Sequence, residues 1–66
     1  MKIKYFKDTD TALLEFSDAQ VAESREVSED IYLDLDEDGK LVSMTVEHAA
    51  ASASFPAVEV EEVASA

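Results

Sequence analysis

Apolar and polar residues alternate with a period of two over several stretches before Glu47, the spacing that sends successive side chains to opposite faces of a β-strand. Segment 2–6 places Ile3 and Tyr5 on one face and Lys2 and Lys4 on the other. After the polar turn Asp8-Thr9-Asp10-Thr11, segment 12–16 puts Ala12, Leu14 and Phe16 on one side. Pairing Ile3 with Phe16 and Tyr5 with Leu14 makes a hairpin with those four side chains on a common face. Segment 30–36 alternates Ile31, Leu33 and Leu35 against Tyr32, Asp34 and Asp36, and segment 41–47 answers with Val42, Met44 and Val46. Setting Leu35 opposite Val42 also sets Leu33 opposite Met44 and Ile31 opposite Val46, so the register is self-consistent. Gly39 supplies the positive φ of the connecting turn.

Segment 17–29 is polar, with only Val21 and Val27 to start or extend a strand. His48 to Ser54 is rich in Ala and Ser and reads as two turns of helix, ended before Pro56 because the residue preceding proline disfavours the α region. The tail from Val58 to Val63 alternates but is acidic, and reads either as a further strand or as a loose end. The expected fold is mainly β: a four-stranded antiparallel meander, then a short C-terminal helix and an acidic tail. It forms one small domain over residues 1–66, with its core in about 1–55.

Four such strands share one apolar face made of Ile3, Tyr5, Leu14, Phe16, Ile31, Leu33, Leu35, Val42, Met44 and Val46. A face of that size must be covered. The segment 48–63 offers only Phe55, Val58, Val60 and Val63 as large apolar residues. A homodimer, or docking on another protein through Tyr5, Leu14, Phe16, Leu33, Met44 and Val46, follows from that thin cover.

Composition sharpens this. Of the hydrophobic residues ten are Ala, and a chain of 66 residues buries only about 60% of the surface it exposes when unfolded. Without Cys there is neither a disulfide nor a thiolate metal site to strengthen so small a core. The chain carries 16 acidic against 5 basic residues, and from Asp8 onward only Arg25 and Lys40 oppose the carboxylates. Such a surface repels phosphate, which argues against nucleic-acid and anionic-membrane partners and leaves a basic protein, a divalent cation or a high-salt habitat. It also simply keeps a small sheet protein soluble. No stretch approaches the ~18 apolar residues of a membrane span, and the beginning of the chain lacks a signal-peptide apolar region. A cytoplasmic location is the expectation.

Asp34-Leu35-Asp36-Glu37-Asp38-Gly39 matches the first half of an EF-hand calcium loop, with carboxylates at positions 1, 3 and 5 and Gly at 6. Thr45 stands where the bidentate Glu belongs, Val42 stands at position 9, and the flanks read as strands. An acidic hairpin turn is therefore the preferred reading. A divalent-cation or small-ligand site on Asp34, Asp36 and Asp38 is the alternative. His48, beside Glu47, is the single histidine and reads as a junction residue before a metal ligand or a proton carrier. No serine lies in a nucleophile elbow, and one glycine cannot build a phosphate-cradling loop. No catalytic residue and no cofactor is expected, and the chain reads as non-enzymatic.

Lys2, Lys4 and Tyr5, the run Asp10-Thr11-Ala12-Leu13-Leu14-x-Phe16, the run Asp30 to Asp36, and Asp38-Gly39-x-Leu41-Val42 resemble the small prokaryotic domain-of-unknown-function family 2283 over roughly residues 1–50. The chain departs from the family's common Gly-Ile-Glu-Ile in the fourth strand, where Ser43, Met44, Thr45 and Val46 stand. The resemblance implies no activity. Family members resemble companions of small toxin-like proteins, which implies an antitoxin-like binding role. The expectation from sequence is thus an interaction module, homodimeric or bound to a basic partner.

Overall fold

The computed structural model describes residues 1–64. Five strands form one antiparallel sheet: β1 (Lys2–Phe6), β2 (Thr11–Glu15), β3 (Glu23–Ser28), β4 (Ile31–Leu35) and β5 (Leu41–Glu47). A single helix, α1 (Ala49–Ala53), follows. The spatial order is β1-β2-β5-β4-β3. The fold is therefore not a four-stranded meander. A hairpin (β1–β2) and a three-stranded unit (β3–β4–β5) are joined where β5 pairs with β2. The crossover between β2 and β3 is pinned at both ends, the Phe16 amide donating to the Val42 carbonyl at 2.8 Å and the Ala22 amide to the Leu35 carbonyl at 2.8 Å.

Directly opposed residues in antiparallel strands share a face. Two rungs cross the whole sheet on its apolar face: Ile3–Leu14–Met44–Leu33–Arg25 and Tyr5–Ala12–Val46–Ile31–Ser28. The opposite face carries Lys4–Leu13–Thr45–Tyr32–Glu26 and Lys2–Glu15–Ser43–Asp34–Ser24. Leu33 with Met44 and Ile31 with Val46 stand in the expected register. The third expected pair does not form. A bulge after Asp34 sets Leu35 opposite Leu41 instead of Val42. The extra residue is accommodated where Val42 also accepts the Phe16 amide.

The first hairpin pairs Ile3 with Leu14 and Tyr5 with Ala12, two residues from the expected register. A shift of two keeps every side chain on its face. Thr11 belongs to β2, opposite Phe6, and Lys7–Asp10 form the turn. Asp10 closes that turn with φ 54°, in the left-handed region that Asp tolerates better than most residues.

The core is small. Ala12, Leu35, Val42, Val46 and Ala49 are buried, and no large side chain is fully buried among the described residues. Ala12, Val46 and Ala49 form its centre, with Tyr5, Leu14, Met44 and Phe55 packed around them. Residues 57–64, expected as a strand or a loose end, are neither strand nor helix. No helix among the described residues is long and apolar enough to cross a membrane.

Candidate functional site

The apolar face divides in two. Over β1, β2 and β5, α1 and the segment after it form a lid: Ala49 is fully buried, and the Phe55 ring stacks on Tyr5 with centroids 6.3 Å apart. Small residues allow this. Ala12 in the sheet and Ala49 in the helix are both 0% exposed, so the backbones approach closely. Over β4 and β3 the cover is thinner among the described residues, with Leu35 the one buried apolar side chain. Every residue of β3 is exposed, and Ile31 and Leu33 remain half-buried outside the central cluster.

The expected interface residues separate along this line. Leu14, Met44 and Leu33 share one rung, and Tyr5 and Val46 share the next. Val46 is 8% exposed, its surface already used inside the chain. Tyr5, Leu14 and Met44 pack against the core yet stay half-exposed, while Phe16 stands half-buried just past β2.

The charges of the face are few. Among its strand positions only Glu23 and Arg25 are ionised. They pair with each other, Arg25 Nε donating to Glu23 Oε2 at 2.7 Å. This bond holds the Glu23 carboxyl below its ordinary range and raises the Arg25 guanidinium. The remaining strand carboxylates, Glu15, Glu26, Asp34 and Glu47, occupy the other face. There Asp34 accepts hydrogen bonds from the Ser24 hydroxyl at 2.5 Å and the Ser43 hydroxyl at 2.7 Å, which lower its pKa in that order.

Three left-handed residues, Asp10, His48 and Ser54, shape the lid and its approach. The Asp10 carbonyl accepts the Ala49 amide at 2.9 Å. Its Oδ1 accepts both the Tyr5 hydroxyl at 2.6 Å and the Ala50 amide at 2.9 Å. The Tyr5 bond, then the Ala50 bond, holds the Asp10 carboxyl below the usual carboxylate range, and Asp10 in turn raises the Tyr5 phenol. Asp30 makes the second tie: its carbonyl accepts the Glu47 amide at 2.7 Å, and its Oδ1 lies 2.9 Å from His48 Nδ1. That carboxylate raises the His48 pKa. Two turn aspartates thus fasten the start of the lid to the sheet. The sequence pattern does not reveal them, because their partners lie 40 and 18 positions away. His48 does stand at the strand-to-helix junction, as expected.

In the turn of residues 36–40, Asp36 Oδ1 accepts the Asp38 and Lys40 amides, both at 2.9 Å, and Gly39 has φ 80°. Asp34, Asp36 and Asp38 do not converge, since the first is held on the polar face and the second folds the turn. No group of three or more His, Cys, Asp or Glu side chains arranged to hold a metal ion occurs among the described residues. An open groove beside the turn is lined by residues 19–22 and 36–38, which bring three carboxylates and no basic side chain.

Fold and face together define a small single-sheet antiparallel protein whose apolar surface is half lidded. The chain belongs to the family described as "Protein of unknown function (DUF2283)", whose model matches residues 2–49. That span runs from β1 to the first residue of α1, so the rest of the helix and the tail lie outside the match. No curated protein and no solved structure matches the chain.

Proposed function

We propose that the chain is a non-enzymatic interaction module that forms a homodimer through the unlidded half of its apolar face. The supporting observation is the burial pattern: five strands with no fully buried large side chain among the described residues, and Ile31 and Leu33 only partly buried and outside the central cluster. A second copy suits the face better than a cationic protein. The face's one strand carboxylate, Glu23, is already paired with Arg25, whereas a basic partner needs free carboxylates at the contact.

Sedimentation of the full chain over a concentration series tests this. The expected result is a monomer–dimer equilibrium that tightens with added salt, because two copies of charge −11 repel through solvent until screened. Leu33→Lys is expected to leave a monomer. A monomer at every concentration in the unaltered chain contradicts the reading. Association with a basic protein that weakens as salt rises favours the basic-partner alternative instead.

A further inference from the structure

Residues 58–63 present a surface that their own copy does not use. Val58, Val60 and Val63 are 51, 86 and 72% exposed, interspersed with Glu59, Glu61 and Glu62. The last backbone hydrogen bond among the described residues outside the sheet is that of the Ala57 amide to the Ser54 carbonyl. At the margin of the sheet, β1 has a matching deficit. It is an edge strand, paired only with β2, so one row of its amides and carbonyls lacks a ladder partner.

The two segments are complementary in period and in charge. β1 shows Ile3 and Tyr5 on the apolar face and Lys2 and Lys4 on the other. Val58 and Val60 alternate with Glu59 and Glu61 at the same period of two. Laid antiparallel, one register satisfies all four positions: Val58 beside Tyr5, Glu59 beside Lys4, Val60 beside Ile3, Glu61 beside Lys2. Apolar neighbours fall on the apolar face, and opposite charges meet on the polar one.

Resting on the homodimer reading, we propose that residues 58–61 of each copy add as a sixth antiparallel strand to the β1 edge of the other copy. Area supports exchange between copies. The two unlidded strands, about 4.8 Å apart and about 17 Å long, offer a face of roughly 160 Å². Stable pairs bury about 800 Å² per partner. The face alone falls short, whereas an exchanged strand supplies main-chain hydrogen bonds of the kind used in strand addition. Within its own copy the segment leaves that edge unpaired.

Charge exchange between two variants provides the test, read by sedimentation of full-length chains. Lys2→Glu/Lys4→Glu and Glu59→Lys/Glu61→Lys are each expected to weaken self-association at least ten-fold. Their equimolar mixture is expected to recover dimer within three-fold of the unaltered chain, because each tail then meets an edge of opposite charge. The second variant is the sharper one. Two Glu→Lys changes add four charges, taking −11 to −7, so general repulsion predicts tighter pairing where strand addition predicts weaker. Lys4 lies 3.5 Å from Glu15, so the first variant carries some risk to the hairpin. Val60→Pro, in an exposed segment, removes an amide and is expected to give the same loss. Unchanged association of Val60→Pro and of the tail-charge variant overturns the proposal, as does a loss that mixing fails to restore. If Leu33→Lys abolishes the dimer while the tail variants do not, strand exchange falls and the face reading stands. The reverse pattern leaves exchange standing and removes the face.

Discussion

The β1–β2–β5 side of the sheet and the β4–β3 side are built from the same two rungs, yet the central cluster lies on the first, and the second buries only Leu35. On the first, Ala12, Val46 and Ala49 close against each other, and Phe55 stacks on Tyr5. On the second, β3 is exposed along all six residues and is tied to the sheet by backbone pairing and by polar contacts such as Ser24 with Asp34. Folding stability is expected to reside in the lidded side. On the other side Ile31 and Leu33 are only partly buried.

Substitutions on the two sides should therefore separate stability from association. The largest effect is expected from Leu33→Lys, which puts an ammonium on the β4 part of its rung. We expect at least a hundred-fold loss of self-association by sedimentation, with the monomer still folded because the long side chain can reach water. Next comes Ala12→Leu, which forces bulk into a position 0% exposed beneath Ala49. It is expected to cost about 2 kcal/mol in denaturant unfolding and to expose the α1 amides to exchange. The matching change on the bare side, Ser28→Leu, should stay within about 0.5 kcal/mol. Gly39→Ala comes below Ala12→Leu, at about 1 kcal/mol, since φ 80° strains any side chain although no atom lies within 4 Å of the new Cβ.

The smallest effect is a pH dependence at the lid. The folded-state pKa of His48 is raised above 6.5 by Asp30. Its contribution is therefore fully present below about 6.5 and is lost as pH rises through the higher folded value. Asp10 works in the opposite direction. Its folded value lies below the carboxylate norm, so its contribution is present at neutral pH and is lost as acid titrates it through that depressed value. Thermal unfolding of His48→Gln across pH 5.5–8.5 should show a flatter profile than the parent. A parent profile with no decline above neutrality contradicts the Asp30–His48 tie.

What could be read from the chain alone tracks which forces leave a periodic trace. Burial of alternate residues is written in the order of side chains, so Leu33 against Met44 and Ile31 against Val46 were legible. Ladder hydrogen bonds belong to the backbone of any residue. Glu23–Ser28, with Val27 as its one large apolar side chain, therefore gives no period to detect and still forms a full strand. The missing strand also hid the sheet order, because without β3 nothing requires β5 to lie between β2 and β4. The bulge at Leu35 opposite Leu41 depends on how the crossover meets Val42, a contact between distant parts of the chain. Asp10 and Asp30 were invisible as fasteners for the same reason. The acidic turn, by contrast, was legible as a turn, and Asp36 is the residue that folds it.

An isotope-filtered nuclear Overhauser experiment on an equal mixture of ¹³C-labelled and unlabelled chains reads the bare half directly. Cross-copy contacts among the Leu33 and Ile31 methyl groups of the two copies are the predicted result. Their absence at concentrations where sedimentation finds a dimer would contradict the account, because the copies would then meet through some other surface.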